Sequence, residues 1–173
     1  MSTRRLSPFG AATRGALAGA VGTLAMDLVW YARYRQAGGE DGFVDWEFSS
    51  SLKEWDDAPA PALVGKRVAE GIFQRELPAK AAALTNTAVH WGTGLLWGTL
   101  YGVAIGSLRS PSPRYGLVLG PLAWTTSYAL LPLAKLYQPM WEYDARTLGR
   151  DLSAHTLFGM GTATAFRALL AHR

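Results

Sequence analysis

Three ionisable side chains, Asp27, His90 and His155, lie in stretches of this 173-residue sequence that hold almost no other charge. A carboxylate and imidazoles can take up a proton, coordinate a metal ion or hydrogen-bond a small molecule. The chain has no cysteine, which excludes thiol catalysis and cysteine-based metal centres. It also lacks the HExxH, GxSxG and phosphate-loop patterns of common enzymes. The sequence therefore favours a protein that is not an enzyme, while an enzyme without such a motif stays open.

These three residues lie at similar depths in their stretches. Asp27 is six residues, His90 ten and His155 four from the charged residue that closes the outer end of each stretch. If the stretches are antiparallel helices, a rise of ~1.5 Å per residue places all three roughly 6–15 Å below one common surface. Asn86 and Tyr128 fall in the same band. The sequence therefore predicts a buried polar site that these five residues form together.

Several roles stay open for this candidate site. Its residues could make unrelated structural hydrogen bonds, or they could form a proton- or ion-linked site or a small-molecule pocket. A metal site would use Asp27 and both histidines. Two histidines on two helices also suggest haem ligation, but their difference in depth argues against it. We therefore predict no metal, haem or other cofactor.

Four long stretches with little charge must position these residues. Charged residues make up only 17% of the chain, against ~25% in soluble domains. Because a membrane-spanning helix needs ~20 mostly apolar residues, the sequence predicts one all-α domain, a polytopic four-transmembrane-helix bundle. The expected spans are about 14–34, 83–108, 115–136 and 151–171. A soluble bundle with Ala-rich buried helices is the alternative.

The basic residues indicate the partner and the orientation of this bundle. The net charge of +4 would suggest nucleic acid in a soluble protein, but here the basic residues separate the apolar stretches, which favours a lipid bilayer. One side of the bundle carries seven basic residues and no acidic ones, whereas the other carries ten basic and twelve acidic ones. Short basic segments face the cytoplasm, so we expect cytoplasmic N- and C-termini in a cell inner membrane. The seven are Arg4, Arg5, Arg14, Arg109, Arg114, Arg167 and Arg173.

The polar segment 35–80 is the expected extracytoplasmic loop. Residues 60–75 place Val64, Val68 and Ile72 on one face, which predicts an amphipathic helix on the membrane surface or on top of the bundle. Trp46 and Trp55 are expected to anchor this segment at the membrane interface, where tryptophan is enriched.

Glycines are expected to pack the helices together. Gly94, Gly98, Gly102 and Gly106 recur every four residues and so form one stripe on the second span. In a bilayer, small residues of this kind allow close approach of helices. Packing within one chain is the expected use of the stripe, and a homo-oligomer stays open.

The first span contains Gly19-Ala20-Val21-Gly22-Thr23-Leu24-Ala25-Met26-Asp27. This GxxGTxxMD-like helix resembles that of several small bacterial inner-membrane families with four predicted spans and no assigned activity. The resemblance covers about one span and implies a bacterial membrane protein, without implying an activity. We therefore expect an integral membrane protein with a buried polar site. A proton- or ion-linked transporter or channel component, and an intramembrane enzyme or metal or haem carrier, are the alternatives.

Overall fold

The protein is a bundle of α-helices, as the sequence predicts. The computed structural model describes residues 6–108 and 111–171, which contain helices and turns and no strand. Short helical turns precede α4, α5 and α6. The helices are α1 (Pro8–Gln36), α2 (Phe43–Glu47), α3 (Ala60–Gly71), α4 (Ala82–Ile105), α5 (Gly116–Leu130) and α6 (Ala145–Ala171).

Turn and cap residues set the helix ends, and these ends differ from the expected spans. The first helix begins at Pro8, where the Ser7 hydroxyl accepts the backbone N–H of Gly10. The third long helix ends at Leu130 rather than near 136, because Pro132 has no N–H to donate and Lys135 has a φ of 56°. The last begins six residues before 151, where the carboxylate of Asp144 accepts the hydroxyl of Thr147 and two backbone N–H groups. The hydrogen bond from the Thr147 hydroxyl, followed by those from the backbone, lowers the pKa of Asp144.

The four long helices pack in a row. Helix α1 lies between α4 and α6, and α5 packs on the far side of α6. The backbones of α4 and α5 have almost no close contact, and side chains such as Tyr101 of α4 and Leu119 of α5 join one buried cluster between the helices. Helix α3 covers the outer part of α4, where Gly65 lies against Thr85 and Val89.

Glycines bring the backbones of α1 and α4 into contact. A Cβ at Gly15 would lie 2.9 Å from the Cα of Gly102, and one at Gly19 would lie 2.9 Å from the Cα of Gly98. The backbones of α5 and α6 are equally close, since a Cβ at Gly159 would lie 2.9 Å from the Cα of Gly120. The predicted stripe on the second span thus faces another helix of the same chain.

The bundle buries many small residues around a few large ones, such as Phe158 and Phe166, and exposes many large apolar residues. Its fully buried side chains include Ala18, Thr23, Ala154 and Thr162. The exposed large side chains include Leu17, Val21 and Leu28 of α1, Leu96, Leu100 and Val103 of α4, and Leu117, Val118 and Leu122 of α5. Among the described residues, α1 is the one helix long and apolar enough to cross a bilayer by length and composition.

Candidate functional site

The packing of α1 against α4 brings Asp27 and His90 together. The two helices are antiparallel, so each step of four residues forward on α1 matches a step of four backward on α4. Gly15 faces Gly102, Gly19 faces Gly98, Thr23 faces Gly94 and Asp27 faces His90. The Nε2 atom of His90 lies 2.9 Å from Oδ1 and 3.1 Å from Oδ2 of Asp27. The Asp27 residue is only 3% exposed, so its carboxylate depends on protein partners.

The short helix α2 adds a second buried carboxylate, that of Glu47. An aromatic cluster of Tyr31, Tyr34, Phe43 and Trp46 packs α2 onto the end of α1. This packing points Glu47 inward, where it is 8% exposed. One ligand-type atom each from Asp27, Glu47 and His90 lies within 4.8 Å of the other two. We call these three residues the acid–histidine cluster.

The indole of Trp91 holds Glu47 in this position. Its Nε1 donates a hydrogen bond of 2.8 Å to Oε1 of Glu47. Burial raises the pKa of Glu47, and repulsion from the nearby Asp27 carboxylate raises it further. The hydrogen bond from Trp91 and the proximity of His90 act in the opposite direction. Two buried carboxylates therefore lie near a single imidazole, which bonds to Asp27.

The other residues of the predicted polar site do not join the cluster. His155 turns to its own helix, where Nδ1 lies 3.0 Å from the carbonyl oxygen and 3.3 Å from Oδ1 of Asp151. The Asn86 amide donates to the hydroxyl of Ser49 across 2.9 Å. The Tyr128 ring is buried in a second aromatic cluster, which also contains Trp124, Tyr137 and Tyr143.

His90 and His155 nevertheless share a cavity. The cavity has a volume of about 300 Å³ and receives side chains from both α4 and α5, the two helices whose backbones have almost no close contact. We call it the α4–α5 cavity. Its larger apolar lining residues are Met26, Trp30, Val64, Val89, Trp97, Leu131 and Phe158, and its polar ones are Thr23, His90, Thr93, Ser127, Tyr137 and His155.

The α4–α5 cavity reaches the outer surface of the bundle. Thr93 lines it and is exposed, and it lies near the middle of α4. The opening is therefore on the side of the bundle, at about half its height. A mostly apolar cavity with a few polar groups is typical of small-molecule sites.

Glu47 is the residue that sequence reasoning missed. It is one of many acidic residues in the 35–80 segment, and nothing in its spacing sets it apart. Only the aromatic residues at 43 and 46, one turn and one residue before it, indicate that this segment packs inward.

No family model, curated protein or solved structure matches this chain.

Proposed function

We propose that the chain is a four-helix integral membrane protein that binds a small, mostly apolar molecule in the α4–α5 cavity. In this proposal α1, α4, α5 and α6 cross a bacterial cell membrane, and α2 and α3 lie at its outer face. The single observation that supports the binding of a small molecule is the α4–α5 cavity, which opens on the side of the bundle.

The distribution of apolar side chains supports the membrane setting. Leucines and valines that are about half exposed cover the outside of α1, α4 and α5, whereas glycine, alanine and threonine lie at the contacts between the helices. Large continuous apolar patches are rare on soluble monomers, and so many exposed large apolar side chains favour a lipid environment. In a bilayer, lipid tails cover such a surface and close contact between small residues holds the helices together.

Charge supports the same setting. Helices α4 and α5 contain no Asp, Glu, Lys or Arg at all. Helix α5 has 15 residues, a length of ~22 Å, which is short for a hydrocarbon core of ~30 Å. The apolar turn residues 131–134 that follow it, including the exposed Leu133, extend its apolar length.

The lining of the cavity indicates the class of ligand. Its volume of about 300 Å³ is at the lower end of the range for small-molecule sites. Aromatic rings of Trp30, Trp97 and Phe158 offer an apolar wall, and His90 and His155 lie on two different helices around it. A compact molecule with a flat apolar body and one or two hydrogen-bonding groups fits this lining. The opening at half height lets such a molecule enter from the bilayer.

A cavity-filling variant tests this function. The protein is extracted from carbonate-washed membranes in mild detergent, and molecules that remain bound are released with solvent and measured by mass spectrometry. We expect the wild type to retain an apolar molecule at about one per chain. Ser127→Phe should retain at least about tenfold less, because the ring occupies the cavity that Ser127 lines.

The matched control is Thr125→Phe, two residues earlier on α5. Thr125 is exposed and does not line the cavity, so this variant should retain as much ligand as the wild type. Equal retention by the wild type and Ser127→Phe would contradict the binding role. Release of the whole protein by the carbonate wash would contradict the membrane setting.

A further inference from the structure

We infer that the acid–histidine cluster of Asp27, Glu47 and His90 binds one divalent transition-metal ion. The three residues come from three different helices, α1, α2 and α4. One potential ligand atom from each lies within 4.8 Å of the other two. The metal site shares His90 with the α4–α5 cavity but does not require a molecule in that cavity, so either one can be occupied without the other.

The charges of the cluster favour a cation. Among residues 6–108 and 111–171, the ion pairs of Asp27 and Glu47 include no lysine or arginine. Two buried carboxylates therefore face one imidazole, which carries at most one positive charge. A buried carboxylate needs a cation or several hydrogen bonds to offset its lost hydration. A dication with a neutral imidazole balances the two carboxylates.

The donor atoms select the class of metal. Two carboxylate oxygens and one imidazole nitrogen suit Zn²⁺, Mn²⁺ or Fe²⁺, whereas an imidazole is not a usual ligand of Ca²⁺ or Mg²⁺. Ligand atoms bound at ~2.1 Å to one ion are ~3–3.5 Å apart. The spacing of 2.9 Å between Nε2 of His90 and Oδ1 of Asp27 is just below this range. The ligand atoms of all three residues lie within 4.8 Å of one another, so an approach of at most about 1–2 Å, which side-chain rotation can supply, brings them into this range.

The Trp91 indole orients the Glu47 carboxylate through a hydrogen bond, and metal-binding side chains usually have a partner of this kind. The indole donates to Oε1 of Glu47 across 2.8 Å, and a carboxylate oxygen can accept this hydrogen bond while the carboxylate binds a metal. An indole N–H is only a donor, so Trp91 orients the carboxylate without competing as a ligand. Partners of this kind fix metal-binding carboxylates, and their loss typically costs about 10–100-fold in affinity.

Three protein ligands leave at least one coordination position open. His90 belongs to both the cluster and the lining of the α4–α5 cavity. A metal held by His90 therefore lies at the edge of this cavity. A water molecule or a polar group of another ligand can complete its coordination.

Metal titration of the tag-free full chain tests the site, because a histidine tag would itself bind metal. The protein is purified in detergent, treated with EDTA, dialysed and titrated with Co²⁺, followed by its visible absorption, and with Zn²⁺ by calorimetry. We expect one ion per chain. Glu47→Gln and Asp27→Asn should each weaken binding at least about tenfold, since each removes an anionic ligand.

His155→Gln is the matched control. His155 also lines the cavity, but it bonds to Asp151 and lies outside the cluster, so its loss should leave the affinity for Zn²⁺ within about twofold. Helical circular dichroism without metal checks that each variant is folded, and Zn²⁺ should raise the melting temperature of the wild type more than that of Glu47→Gln. If a cluster variant fails to fold, Trp91→Phe replaces it, with an expected loss of about tenfold.

Two results would overturn the inference. One is the absence of stoichiometric Co²⁺ or Zn²⁺ binding by the folded wild type. The other is a loss of affinity in His155→Gln as large as that in Glu47→Gln. A protein that fails these titrations but retains a cavity ligand would keep the proposed function and lose only the metal site.

Discussion

At the residue scale, Asp27 has one clear hydrogen-bond partner and one unfavourable neighbour. His90 contacts both oxygens of its carboxylate, while Glu47 brings a second carboxylate into the same buried space. An amide at position 27 keeps an oxygen for His90 and removes the repulsion from Glu47. An aliphatic side chain there removes the repulsion too, but it leaves the imidazole without its partner.

This difference predicts the stabilities of two variants in metal-free protein. Asp27→Asn should melt within a few degrees of the wild type, whereas Asp27→Leu should lose ~1–3 kcal/mol, because a buried polar group loses its hydrogen bond. The measurement is thermal unfolding in detergent, followed by circular dichroism. If Asp27→Leu proves as stable as Asp27→Asn, the contact between Asp27 and His90 is not a stabilising one.

Asp27 and His90 could be predicted from the sequence as candidate site residues, whereas Glu47 could not. Asp27 and His90 are visible in the sequence because an ionisable group in an apolar stretch is costly and therefore rare. Glu47 lies in a polar segment, where a carboxylate has no such cost before folding. Its burial depends on α2 packing through its aromatic rings onto Tyr31 and Tyr34, a contact that no local spacing encodes.

At the element scale, the register between α1 and α4 depends on backbone contact. A Cβ at Gly98 would lie 2.5 Å from the Cα of Gly19, so no side chain fits without separating the two helices. Separation of the helices here would also move His90 away from Asp27, because the Gly19–Gly98 and Asp27–His90 pairs belong to the same register of α1 against α4. The glycine stripe therefore positions the candidate site.

A pair of isoleucine substitutions on α4 tests this dependence. Gly98→Ile should destabilise the bundle by ~3 kcal/mol or more, at the upper end of the usual cost of overpacking. Leu95→Ile is the control, since Leu95 is 37% exposed and its change conserves volume, and it should cost less than ~1.5 kcal/mol. Melting temperatures in detergent distinguish them, and equal values would show that the stripe does not pack against α1.

The helices themselves are predicted better than their ends. Long stretches without charge indicate the four long helices because few other structures can bury them. Their ends depend on single residues, such as the carboxylate of Asp144 at the start of α6 and the positive φ of Lys135 after α5. The cavity was not predictable, since it results from the missing close contact between the backbones of α4 and α5.

At the scale of the whole molecule, arginines join α1 to α6 at both ends of the bundle. The guanidinium of Arg14 donates to the carbonyl oxygen of Leu169 at one end. That of Arg33 donates to the carbonyl oxygen of Arg150 and the hydroxyl of Ser153 at the other. Both ends thus hold basic side chains, and the difference between them is that the end with α2 and α3 also carries the acidic residues.

This asymmetry predicts the orientation of the bundle in the membrane. The end that contains the turn before α5 carries basic residues without acidic ones, so the positive-inside rule places it in the cytoplasm. The natural chain has no cysteine, so a single introduced thiol reports one position. Ser112 lies in that turn, and Ser50 is exposed between α2 and α3 at the opposite end.

We expect Ser50→Cys to react with a membrane-impermeant maleimide in intact cells, because the outer end is accessible from outside. Ser112→Cys should react only after the membrane is permeabilised. The unmodified chain controls for labelling of other groups, and labelling of both variants in detergent shows that each thiol is reactive. The reverse pattern in intact cells would invert the orientation. Labelling of both thiols in intact cells would place the two ends on one side and contradict four complete spans.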